Sequence, residues 1–186
     1  FVALGAPRGN KTQLELRGPS GVEANTRFED EFVGSFAGGE LGTPIMQKGA
    51  NNLTTLEIGI TGIPRLQENR REFLRWIKNH LARKDVFCTA LYERELNAES
   101  RIFRLQISKK FDNVLHFMMN VKINYCGYKQ QRLLNALGAW AQNKKAKYRE
   151  LLGRGYGAER AMKVLNLSPN SLYLLLNHFG PAEASI

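Results

Sequence analysis

Seven cations fall within a span of twenty residues: Lys144, Lys145, Lys147, Arg149, Arg154, Arg160 and Lys163. Tyr148 and Tyr156 lie between them, and Trp140 just before. Lysine and arginine neutralise phosphates, while aromatic rings give unpaired bases a stacking surface. The chemistry open to this pattern is therefore recognition of a nucleic-acid backbone. The run Gly153-Arg154-Gly155-Tyr156-Gly157 adds backbone N–H groups that can approach phosphates closely. Trp140 lies on an apolar stripe and is read as core rather than as a stacking platform.

Charge along the chain points the same way. Lys and Arg number 27 against 17 Asp and Glu, a formal net charge of +10. Residues 1–93 hold 12 basic and 11 acidic residues, whereas residues 94–186 hold 15 basic and 6 acidic. Between residues 100 and 163 there are 14 basic residues against Asp112, Glu150 and Glu159. An excess concentrated in one third of a chain attracts polyanions; solubility alone is served as well by an even spread.

Catalytic patterns are sparse. The aspartates Asp30, Asp85 and Asp112 are far apart, which disfavours metal-dependent hydrolysis. Glu93, Glu95 and Glu99 read as a solvated hairpin loop, and His80, His116 and His178 show no metal spacing. No Gly-rich loop with Lys-Ser/Thr and no nucleophile elbow occurs. Neither cofactor nor metal is expected, although a metal-free ribonuclease using His116 and nearby lysines stays conceivable. Cys88 and Cys126 form neither a disulfide framework nor a zinc motif, which suggests a reducing compartment inside the cell, cytoplasm or nucleus. No apolar run approaches the roughly 18 residues of a membrane helix, so no membrane partner is expected. The chain begins at Phe1, which points to a segment removed before it.

The elements that must position these cations follow from hydrophobic period. Residues 1–50 contain nine glycines with Pro7, Pro19 and Pro44, and only short apolar pieces, one from Phe28 to Phe36. They read as short strands and turns packed on their own domain, or as an extended arm draped over a neighbour. Leu56, Ile58 and Ile60 alternate as in a half-buried strand, and Pro64 opens a helix over 65–84. That helix carries Leu66, Phe73, Ile77 and Leu81 on one stripe, with Arg70, Arg71, Arg75, Lys78 and Arg83 on a face that solvation alone explains. Three strand-like runs follow, at 86–92, 101–108 and 114–125. Paired as a meander, they place Arg104, Gln106, His116, Asn120, Lys122 and Asn124 on one polar face, with Lys109 and Lys110 at a hairpin tip. From about residue 130 the period is helical, through Leu133, Leu134, Leu137, Trp140 and Ala141. Two short helices fit 158–166 and 169–179, with Ser168 as cap and Pro169 at the first position.

Gly155, Ala161, Leu165, Leu167, Ser168, Leu172 and Tyr173 carry a resemblance. Residues 148–178 resemble the helix-turn-helix of resolvases and Fis-type regulators, in which a tight turn separates a supporting helix from a DNA-reading one. Ala161 is small where two helices cross, and Asn166 tolerates the left-handed turn. The third helix departs from that pattern. It offers Asn170, Ser171, Asn177 and His178, and Leu174, Leu175 and Leu176 suggest burial on most sides.

The sequence predicts an α+β fold: an antiparallel β-meander with one long amphipathic helix, then a helical C-terminal region. Its segments are a Gly/Pro-rich 1–50, a sheet domain at 51–129 and a basic helical region at 130–186. The expected function is non-catalytic, backbone-dominated binding of RNA or single-stranded DNA. Arg104, Lys122, Lys144, Lys145, Lys147, Tyr148, Arg149, Arg154, Tyr156, Arg160 and Lys163 are the expected contacts. Three alternatives stay open: a sequence-specific DNA-binding regulator, a self-assembling packaging subunit with residues 1–50 contacting the next protomer, and a host-targeting or scaffolding protein whose cations meet acidic proteins.

Overall fold

The computed structural model describes residues 11–18, 26–42, 45, 53–54, 56–123 and 126–177. Asn124, Tyr125, His178 and much of the Gly/Pro-rich segment lie outside the described residues. The fold is α+β, with a three-stranded antiparallel sheet and a helical C-terminal region.

In the sheet, β1 (Leu56–Gly62), β2 (Cys88–Asn97) and β3 (Ser100–Ile107) lie in the order β1-β3-β2. Leu56 pairs with Ile107 and Ile60 with Phe103, while Tyr92 pairs with Arg104 across the other edge of β3. The alternation puts Leu56, Ile58, Ile60, Phe103, Leu105 and Ile107 on one buried face. Helix α2 (Gln67–Ala82) covers that face with Phe73, Leu74, Ile77 and Leu81, entered through a 3-10 turn at Pro64–Leu66. Proline at this first turn forfeits no hydrogen bond.

Residues 114–123 are not the third strand of a meander. Phe111–Asn120 form helix α3, and the third strand is β1. The alternating pattern was ambiguous because Phe111, Val114, Leu115 and Met118 also recur at helical spacing, and it is this stripe that packs on the core. Asn113 locks the helix in place. Its Oδ1 accepts from the Phe87 N–H at 2.5 Å, and its Nδ2 donates to the carbonyls of Phe87 and Ser108. His116 and Asn120 therefore do not share a sheet face with Arg104.

Two more expectations are corrected. Residues Thr26–Glu40 form helix α1 instead of short strands and turns. Phe32, Val33, Phe36 and Ala37 supply its apolar stripe, and Phe32 and Phe36 meet Phe73 and Trp76 edge-on. The second concerns Arg70, which is fully buried instead of solvated. Its guanidinium donates to the carbonyls of Lys11 at 2.6 Å, Leu14 at 2.7 Å and Thr61 at 3.3 Å, and to Asn69 Oδ1 at 2.6 Å. Any Cβ at Gly62 would lie 2.9 Å from this side chain, so the strand needs glycine there. Asn69 holds both the N–H and the carbonyl of Leu16. Residues 11–16 are thus fastened to their own domain.

The C-terminal region consists of α4 (Gly127–Gly153), α5 (Ala158–Leu165) and α6 (Pro169–Asn177). The first half of α4 buries Leu133, Leu137, Trp140 and Ala141 in the main core, while Leu134 is exposed. Its second half contributes Tyr148 and Leu151 to a smaller cluster with Ala161. Among the described residues, no helix is long and apolar enough to cross a membrane.

Replacing Arg70 with Met removes the donors that hold residues 11–14 and strands their carbonyls. Urea unfolding should show a loss of about 2–4 kcal/mol, with Leu16 region amides losing exchange protection.

Candidate nucleic-acid interface

Helix α4 ends where Gly155 takes a left-handed conformation (φ 83°), and the Gly155 and Tyr156 N–H groups return to the carbonyls of Leu152 and Leu151. Glycine permits that turn at no steric cost. Helix α5 starts after Gly157 and ends at Asn166, which is left-handed at φ 51° as expected of it. Ser168 Oγ accepts the Ser171 N–H at 3.1 Å, and Pro169 opens α6. The two short helices are joined by a three-residue turn, residues 166–168.

Two of the expected phosphate contacts hold these helices in place. Lys144 Nζ donates to the Leu165 carbonyl at 2.8 Å, and Lys145 Nζ to the Leu176 carbonyl at 3.2 Å. Each ammonium thereby meets the negative end of a helix, α5 and α6 respectively. Lys144 also lies 5.4 Å from the centre of the Trp140 ring. Burial lowers the Lys144 pKa from its ordinary value, and the neighbouring charge of Asp112 opposes that shift.

The other candidates divide by position. Lys147 and Arg154 both pair with Glu150, at 2.9 Å and 2.6 Å. A hydrogen bond from Lys147 and the charges of Arg154 and Lys147 keep the Glu150 carboxyl below its ordinary pKa. Tyr148 is buried at 7 % exposure and packs beside Leu151 and Ala161, so it offers no stacking face. Tyr156 is half-buried, with the Arg160 guanidinium 4.6 Å from its ring centre. Arg149, Arg160 and Lys163 are exposed, and none forms an ion pair with a carboxylate among the described residues. Helix α6 is not buried on most sides: Leu175 and Ser171 are buried, Tyr173 and Leu176 exposed.

Arg104 and Lys122 are not part of this assembly. Arg104 stands on the open face of the sheet and pairs with Glu57 at 2.7 Å. Gln106 and Tyr92 donate to the same carboxylate, at 2.9 Å and 3.0 Å. Arg101 is likewise paired, with Glu93 at 3.1 Å. Lys122 follows α3 and lines a depression of about 270 Å³ together with Arg27, Asp30, Glu31 and Asn120.

A second depression, about 400 Å³, is bordered by Thr89, Gln106, Ser108, Lys109, Lys110 and Asn166. A hairpin tip at residues 109–110 gives no reason to place them near the α5–α6 turn, whereas here they precede α3 and share a depression with Asn166. The helical spacing of Phe111, Val114, Leu115 and Met118 was the signal that could have revealed it. Among the described residues, no group of three or more His, Cys, Asp or Glu is placed to hold a metal ion. Cys88 and Cys126 are free thiols, and burial pushes Cys88 up to about 11, far from a reactive thiolate. No family model, curated protein or solved structure matches the chain.

Glu57 gives the sheet a measurable pH signature. Burial works against its charge, but hydrogen bonds from Gln106, Arg104 and Tyr92 and the Arg104 charge outweigh it, so its pKa lies below the ordinary 4.5. The folded state therefore favours the carboxylate. The stability it contributes is present above pH 4.5 and disappears as pH falls through the lower, folded value. Glu57→Gln should cost about 1 kcal/mol at neutral pH, discounted for the partial exposure of Arg104. Urea titrations should show that the variant loses less stability than the wild type on acidification from neutrality to below the Glu57 range.

Proposed function

We propose that this chain is a non-catalytic nucleic-acid-binding protein whose C-terminal helices hold the phosphate backbone of RNA or single-stranded DNA. One observation carries the reading: most cations around the sheet and α2 are paired with carboxylates, whereas those from residue 144 onward outnumber the carboxylates beside them. Arg71, Arg75, Arg83, Lys84, Arg101 and Arg104 each have a carboxylate partner from Glu29, Asp30, Glu57, Glu68 or Glu93. Residues 144–177 hold seven cations against Glu150 and Glu159, a net of +5 (seven minus two). Glu150 already serves two of them.

Arg149, Arg160 and Lys163 carry the excess into solvent, on either side of the Gly-rich turn. Tyr156, with Arg160 across its ring, supports a base-stacking role in the same place. A flexible single strand can follow charges spread over two helices and the turn between them more readily than a stiff duplex can. The partner class is thus a polynucleotide, engaged mainly through its phosphates.

A second reading takes α6 as a DNA-reading helix, in line with the resemblance of residues 148–178 to the helix-turn-helix of resolvases and Fis-type regulators. The exposed Asn170, Tyr173 and Asn177 on α6 favour it, since Asn can pair with adenine in a major groove. No lysine or arginine stands on α6 to support such contacts, which places this reading second.

Anisotropy titrations of a labelled single-stranded oligonucleotide test the first reading. Between about 50 and 200 mM salt, affinity should fall steeply, with a log–log slope that Arg149→Gln, Arg160→Gln and Lys163→Gln together reduce by about 2. A flat salt response, or a triple variant that binds like the wild type, contradicts the proposal. Preference for one duplex sequence, lost on Asn170→Ala, would instead select the second reading.

A further inference from the structure

We infer that the depression between the β3–α3 connection and the α5–α6 turn is a subsite for an internal phosphate of the bound polynucleotide. This rests on the function proposed above and adds a second point of attachment to it. Lys109 and Lys110 border the depression, both are exposed, and neither has a carboxylate partner among the described residues. No aspartate or glutamate lines it. That contrasts with the depression around Lys122, where Asp30 and Glu31 offset Arg27 and Lys122.

The floor supplies donors as well as charge. Ser108 is 8 % exposed. Its Oγ accepts the Lys110 N–H at 3.4 Å, while its own hydroxyl proton has no acceptor among the described residues. A buried hydroxyl with an unused proton at a cationic depression is built to meet an oxygen from outside. Lys110 is the N-cap of α3 and makes no side-chain cap, and the first intrahelical bond is Val114 N–H to the Lys110 carbonyl. Asp112 stands in the first turn of α3 and offsets the positive end of that helix, so the charge at this edge comes from the two lysines. Thr89 offers a further hydroxyl at the rim.

Asn166 closes the depression from the opposite side. It follows Leu165, whose carbonyl Lys144 holds, and comes three residues after the exposed Lys163. A strand engaged by Arg160 and Lys163 along α5 reaches the end of that helix at Asn166, beside Lys109 and Lys110. An internal phosphate is therefore the ligand the placement favours over a free anion.

Amide resonances of isotope-labelled full-length protein provide the test, with inorganic phosphate in one titration and a single-stranded oligonucleotide lacking terminal phosphates in another. The amides of Ser108, Lys109, Lys110 and Asn166 should shift saturably in both, with the oligonucleotide acting at far lower concentration. Lys109→Ser combined with Lys110→Ser should abolish both responses. Lys78→Gln combined with Arg94→Gln removes the same charge from exposed positions elsewhere and should preserve them. Chloride-like, unsaturable shifts, or responses that survive the Lys109/Lys110 variant, overturn the subsite. A response to inorganic phosphate alone overturns the assignment to a polynucleotide. An oligonucleotide that moves only resonances between Arg149 and Lys163 overturns the subsite while leaving the proposed function standing; no oligonucleotide binding at all removes both.

Discussion

The ammonium of Lys144 lies where three helices meet, and the geometry of the whole basic region passes through it. It donates to the last carbonyl of α5 and covers the face of Trp140, whose ring in turn meets Phe111 at the start of α3, with centroids 5.1 Å apart. One residue beyond the carbonyl is Asn166; just before Phe111 are Lys109 and Lys110. The contact chain Leu165–Lys144–Trp140–Phe111 thus links two of the segments that border the depression. A hydrogen bond from a charged donor contributes on the order of 1.5–3 kcal/mol, and the cation over an indole adds about 1 more. Burial opposes these gains, as the lowered pKa of Lys144 records.

From this junction outward, the electrostatics follow from where carboxylates are available. Helix α1 brings Glu29 and Asp30 to His80, Arg83 and Lys84 on and just beyond α2, and Glu93 reaches both Arg71 and Arg101. Those pairs, mostly at the surface, contribute little stability individually. Their consequence here is a weaker positive field over the sheet and α2. The C-terminal helices and the turns between them have only Glu150 and Glu159 to balance nine cations, so the field persists there. An uneven supply of acid, more than an excess of base, is what distinguishes the two halves.

Much of this was legible in the sequence where one physical signal dominated. The alternation in β1 and β3, the stripe of α2, and the Asn166, Ser168 and Pro169 signals around the α5–α6 turn each specify one backbone conformation. The misses occurred where two periods competed or where a partner was distant in sequence. Residues 111–120 satisfy helical and strand spacing at once, and packing against Trp140 and the anchoring by Asn113 decide between them. Glycines at 34, 38 and 39 masked the aromatic stripe of α1. For Arg70, Arg104 and Tyr148 no local pattern exists. Their partners, the carbonyls of residues 11–14, Glu57 and Ala161, become neighbours only once the chain has folded.

Photo-crosslinking addresses the central claim, that the surface where cations outnumber carboxylates is the one that holds a polynucleotide. A single-stranded oligonucleotide carrying photoreactive pyrimidines would be bound to the full chain at low salt, irradiated, and the adducts located by mass spectrometry. The account predicts adducts at Tyr156 and on the peptides spanning Arg149–Lys163 and Ser108–Lys110, all suppressed by raised salt. Adducts confined to the neutralised sheet face around Tyr92 and Arg104, or to α1 and α2, would contradict it.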